Sequence, residues 1–245
     1  MATNHNRKSK PVKKNDSMNG AMDFFIVGCL AELFLLTLRR NYIGGSALQQ
    51  IAWYDTYLKV FMGIGAVILV AGLALFRVWG KDQKKKTYAA LASVLGVFLA
   101  VSSALVRWNM SSLTLLMVVV PVAMILCIVW CLYDKECALA LTVLAVSLVA
   151  LWLCRRVAGP VALVVKGVIV LYIVAMVALI VLAKAKKLKG ILSAKADPMP
   201  VYVSCGLSAA ALAVALISSG IAYYAMWALA AVVFALAVYY TVKQL

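Results

Sequence analysis

The sequence predicts an all-α membrane protein, a bundle of about eight transmembrane helices with both termini on the cytoplasmic side. Three observations carry that expectation. Hydrophobic residues make up 66% of the 245 residues and charged residues 13%, where soluble domains run near about 45–50% and about 25%. The mean hydropathy of +1.02 is more apolar surface than one soluble core of this length can hide. The apolar residues are also gathered into runs close to the roughly 20 residues that a spanning helix needs. A secreted disulfide scaffold, a disordered chain and a collagen-like repeat are excluded by the same composition. The net charge of +16 would suggest nucleic acid in a soluble protein. Here the basic residues lie between apolar runs, so anionic lipid headgroups are the expected partner and no nucleic acid is expected.

Residues 1–20 are polar and basic, with Arg7, Lys8, Lys10, Lys13 and Lys14, and read as a disordered cytoplasmic tail ahead of a polytopic domain at 21–245. The first apolar run, 21–38, has a long polar lead and no small-residue cleavage site, and Arg39 and Arg40 close it. It reads as a membrane helix that stays rather than as a signal peptide. The further spans are expected at 57–79, 87–106, 111–133, 137–154, 160–183, 200–219 and 221–242. The last two are joined only around Ser218, Ser219 and Gly220, which predicts an antiparallel hairpin. Residues 46–57 are expected to form a short interfacial helix leading into the second span. Pro160 and Pro200 suit helix starts, where a missing N–H costs little.

The charge distribution orients the chain. Seventeen of its Lys and Arg fall in segments 1–20, 77–88, 133–137, 184–199 and 241–245. Six fall in 39–59, 107–110, 155–159 and 219–221, and Lys166 is left within a run. The positive-inside bias therefore favours cytoplasmic termini, in a plasma membrane. Trp and Tyr cluster near both sets of helix ends, with Tyr172 the exception deep in the sixth span, where its hydroxyl needs a partner. Laying spans one to four over five to eight at an offset of 107 residues superposes Tyr133 on Tyr240, Arg77 on Lys184 and Ser111-Ser112 on Ser218-Ser219. That is the pattern of a weak 4+4 parallel repeat, and equally of any eight-span chain obeying the charge rule.

Several residues stand out for packing or chemistry. Ala92, Gly96, Ala100 and Ala104 form a small-residue stripe on the third span, which lets another helix backbone approach. Pro121, in the middle of the fourth span, frees the carbonyl of Met117 and marks a structural kink, a hinge or an ion-contacting carbonyl. Ionisable groups within apolar runs are costly and point to function. Glu32 lies about six residues before the outer end of the first span, and Lys166 about six residues after the outer start of the sixth. At 1.5 Å per residue both are roughly 9 Å below the outer boundary. Three readings stand side by side. Glu32 carries a proton or cation with Lys166 governing its charge; the two form a static ion pair; or Lys166 snorkels to the headgroups. Arg107, with Ser102, Ser103, Asn109, Ser111, Ser112, Thr114, Ser218 and Ser219, gives a second polar concentration at outer helix ends, a vestibule or simply capped polar turns.

The six cysteines show no CxxC pairing and the one histidine, His5, lies in the tail. No metal site and no cofactor is expected. HExxH, GxSxG and Walker-type motifs are absent from the sequence, so an enzyme is not expected. The two function classes that remain are a small transporter or permease-like component, and a non-catalytic scaffold or accessory subunit. A membrane-protein partner or a homo-oligomer is compatible with either.

Overall fold

A computed structural model describes residues 12–78, 83–157, 160–184 and 199–244. The basic connections at 79–82 and 185–198 and the first eleven residues of the tail lie outside the described residues. The chain is all-α, with no strand among the described residues. Among the described residues it carries eight helices long and apolar enough to cross a membrane, and it is a polytopic membrane protein. Helix α1 (Val12–Leu38) begins well before Ala21, so residues 12–20 are its first turns rather than a separate tail.

The helix does not stop at Arg39 but runs on through a π-helical turn, Arg39–Ile43. Gly44 closes that turn, its N–H donating to the Arg39 carbonyl at 3.0 Å. The short helix α2 (Ala47–Ala52) and a second π-helical turn (Trp53–Tyr57) then lead without a break into α3 (Leu58–Val78). The side chain of Gln50 donates back to the Gly45 carbonyl at 3.2 Å, which ties the connection down. Next come α4 (Gln83–Trp108), α5 (Ser112–Leu132), α6 (Lys135–Arg156), α7 (Pro160–Lys184), α8 (Met199–Ile217) and α9 (Ser219–Gln244). Asn109 shapes the turn before α5 by accepting from the Ser111 N–H at 2.9 Å, the local bond that makes Asn a turn residue.

Two compact units make up the chain, Met1–Ile128 and Val129–Leu245. The first is built on the antiparallel pair α3 and α4. A Cβ placed on Gly65 would stand 2.6 Å from the Ala100 nitrogen and 2.8 Å from the Gly96 oxygen. One placed on Gly96 would stand 2.6 Å from the Leu69 nitrogen. The two backbones touch, and only glycine fits there. Ala89, Ser93, Gly96 and Ala100 are the α4 side of this seam, at alternating steps of four and three. A strict four-residue stripe drifts about 40° per step around a helix of 3.6 residues per turn. That drift takes Ala92 to a half-buried position and leaves Ala104 exposed. Above the seam Leu35, Leu38, Tyr42, Leu58, Val106 and Leu113 form the buried core of the unit. Phe34 meets Phe61 and Phe98 edge to face at centroid distances of 5.2 and 6.5 Å.

The second unit is built around one helix. Along α6, Cys137, Ala140, Leu141, Leu144, Ser147 and Leu151 are all buried. Helices α7, α8 and α9 each pack against it, burying Ile169 and Met176, Val201 and Leu212, and Leu229 in a single core. Helices α8 and α9 pack on each other across the break at Ser218.

Candidate functional site

Glu32 is held by the row that faces inward from α1. Gly28, Ala31, Glu32 and Leu35 share one side of the helix, since residues three and four apart are stacked. Ala31 and Leu35 are buried. A Cβ on Gly28 would collide with the side chain of Met124, so α1 and α5 touch there. Farther along α1, Leu35 and Leu38 share a core with Leu113, Leu116, Met117 and Val120 of α5. Rising numbers on α1 thus match falling numbers on α5, and the two helices run antiparallel. By that antiparallel pairing Glu32, four residues after Gly28, corresponds in register to Val120 and Pro121, four and three residues before Met124. The carbonyl of Met117, which has no intrahelical donor because Pro121 lacks an N–H, lies within about one turn of that level.

The Oε2 atom of Glu32 is buried and has no hydrogen-bond partner among the described residues. Buried carboxylates are normally paired or hydrogen-bonded, because stranding one costs on the order of several kcal/mol. The Ser103 hydroxyl on α4 is buried and unpartnered among the described residues in the same way. A carboxyl group can donate one O–H when protonated and accepts only when ionised. The group can therefore hold a proton or, when ionised, contact a small cation.

The other sequence candidates fall in different places. Helix α5 continues unbroken across Pro121 from Ser112 to Leu132. Arg107 is half-buried in the last turn of α4, its guanidinium 5.1 Å from the centroid of the Tyr54 ring. Tyr172 belongs to the second unit, where its hydroxyl donates to the Val143 carbonyl at 3.0 Å and stands 3.4 Å from Ser147 Oγ. The partner that its depth demands is therefore the backbone of α6. Lys166 is exposed on α7, also in the second unit. Asp55 and Lys59 form the local pair expected of residues one turn apart, at 3.5 Å and exposed.

Two features escaped the sequence reading. The level match of Glu32 with Pro121 is set by the pairing of two helices some ninety residues apart, about which local sequence carries no signal. The second is a pocket at the end of α6, for which the four-residue step from Trp152 to Arg156 was a visible cue. Compared with protein-family models, with curated proteins and with solved structures, the chain matches none of them.

Proposed function

We propose that the protein is a small transporter or permease-like component that moves a proton or small cation, alone or coupled to a small solute, with Glu32 as the carrier. It sits in the plasma membrane with cytoplasmic termini and catalyses no chemical reaction. The observation that carries this reading is the buried Glu32 Oε2 inside an apolar span, without a hydrogen-bond partner among the described residues. Its position level with Pro121 supports it, since a proline-freed carbonyl offers a second oxygen at the same depth. A carboxylate kept without a partner is expensive for stability, and such costs concentrate at working sites.

The test is flux. In liposomes loaded with a pH-sensitive dye, a potassium diffusion potential should drive proton or cation entry through the purified chain. Glu32→Gln should cut the rate at least tenfold, while Glu32→Leu, equally inactive, should unfold at a higher temperature than the parent. A Glu32→Leu chain that is less stable than the parent would make the carboxylate structural.

A second reading, a non-catalytic scaffold or accessory subunit, is favoured by one observation. A groove of about 510 Å³ on the first unit is lined by Leu69, Leu73, Val94, Val97, Val101 and Leu116, an apolar surface open to a partner. Native mass spectrometry after mild extraction separates the two readings. A stoichiometric second protein supports the scaffold, and a lone monomer or homo-oligomer supports the transporter.

A further inference from the structure

At the end of α6 the chain carries two adjacent arginines, Arg155 and Arg156, both exposed. Each is laid over an aromatic ring of its own unit. The Arg155 guanidinium is 4.6 Å from the centroid of Tyr223 on α9, and that of Arg156 is 5.6 Å from the centroid of Trp152. Stacking of this kind holds a planar guanidinium in place while leaving its edge N–H donors free. Between the two lies a pocket of about 280 Å³ whose apolar side is Leu151, Ala222 and Met226.

Among the described residues of this unit no acidic group lies at this end of α6. The described carboxylates of the unit are Asp134 and Glu136, at the other end of α6. Nineteen residues separate Glu136 from Arg155, about 28 Å along a helix. The helix ends do not decide the matter either, because the C-terminus of α6 and the N-terminus of α9 bring partial charges of opposite sign. Two preoriented guanidiniums with no carboxylate beside them recognise phosphate, which takes two parallel N–H bonds from each fork. The pocket is slightly smaller than the roughly 300–1,000 Å³ of drug-sized sites, a size for a headgroup rather than a whole metabolite. It opens where an apolar helix long enough to span ends, the place where headgroups are met, with an apolar side for the first carbons of a glycerol ester.

We infer that Arg155, Arg156, Tyr223 and Trp152 form a binding site for an anionic phosphate group, supplied by an anionic phospholipid of the surrounding leaflet. The ring of Tyr223 positions Arg155 and that of Trp152 positions Arg156. Zwitterionic phosphatidylcholine is disfavoured because its ammonium group would be brought against two cations.

The experiment uses the full chain in neutral detergent, incubated with phosphatidylglycerol, with phosphatidylcholine, or with inorganic phosphate, and read by native mass spectrometry. One phosphatidylglycerol should be retained at least tenfold over phosphatidylcholine. Arg155→Gln with Arg156→Gln should reduce it to the phosphatidylcholine level. Arg39→Gln with Arg40→Gln, which removes the same charge from another exposed pair, should retain it. Binding of inorganic phosphate without lipid preference would keep the phosphate site and overturn the lipid as its source. Equal loss in both double variants, or a parent that shows no lipid preference and binds no inorganic phosphate, overturns the site. If the Arg155 and Arg156 variant does not fold, Tyr223→Leu keeps both charges and should still weaken retention several-fold, and unchanged retention there overturns the site as well.

Discussion

The two units carry four apolar spans each, with α5 running just past the division between them, yet they are assembled on different principles. The first rests on a backbone seam, where Gly65, Gly72 and Gly96 bring α3 and α4 into contact. The second rests on side chains meshed around α6, with 44% of the apolar stretch of that helix buried, against none of that of α5. In lipid there is no hydrophobic force between helices, because the alternative to a neighbour is an equally apolar acyl chain. Association must come from close packing, reached either by removing side chains or by interlocking them. In the first unit Glu32 lies on α1, outside that seam. The unit packed around a centre instead has its tyrosine, Tyr172, bonded to the backbone.

The largest effects should come from adding side chains at the seam. Gly65→Leu and Gly96→Leu both drive a side chain into facing backbone, which cannot turn aside as a rotamer can. Each should cost about 3 kcal/mol, the upper end of overpacking penalties. Gly206 lies on α8 with open space for 4 Å around the point where a Cβ would stand, so Gly206→Leu should change stability by less than about 0.5 kcal/mol. Reversible unfolding in mixed micelles by sodium dodecyl sulfate gives all three values. Equal costs at positions 65 and 206 would erase the distinction between the units.

Removing side chains should reverse the order. Leu144 is fully buried on α6. Leu144→Ala loses the packing term but not the transfer term, since the separated helix would keep the leucine in lipid. About 1–2 kcal/mol is expected, below the roughly 2–5 kcal/mol of soluble cores. Ile125→Ala, at a residue 55% exposed on α5, should cost less than about 0.5 kcal/mol. The same unfolding assay compares them, and a cost at Ile125 matching that at Leu144 would place α5 in a core of its own.

The sequence declared the spans because hydropathy is a local property, summed over 20 residues regardless of neighbours. Each of the eight expected runs lies largely within an observed helix. The ends were less legible. The apolar run stops at Leu38, but backbone hydrogen bonding carries α1 through Arg39 and Arg40, which reach water from an exposed π turn. Packing faces were half legible: Gly96 and Ala100 could be named, while the true row alternates steps of four and three, which only the crossing of α3 and α4 selects. Glu32 and Pro121 each stood out by residue type. Their shared level depends on how α1 meets α5, and no stretch of sequence shorter than the pair contains it. Lys166 stood out by the same rule as Glu32, and its exposure on α7 was a matter of helix rotation that an apolar run on all sides cannot reveal.

The smallest effect concerns the polar groups inside the units. Val143 offers one carbonyl to both Ser147, whose hydroxyl donates at 2.7 Å, and Tyr172 at 3.0 Å. Tyr172→Phe leaves that oxygen still bonded by Ser147, so no buried acceptor is stranded. The loss should be near the ~0.6 kcal/mol average of hydrogen bonds between membrane helices. With Ser147→Ala as the second mutation, the pair should be non-additive by about 0.5 kcal/mol, as expected of residues sharing one partner. In the first unit the Ser103 hydroxyl is buried with no partner among the described residues, and Ser103→Ala should be neutral or slightly stabilising, because it removes an unsatisfied group rather than a bond. Chemical unfolding of these variants reads the contrast directly. A destabilising Ser103→Ala would mean that the hydroxyl is bonded in the membrane, through water or an ion, and would draw Ser103 into the same polar site as Glu32.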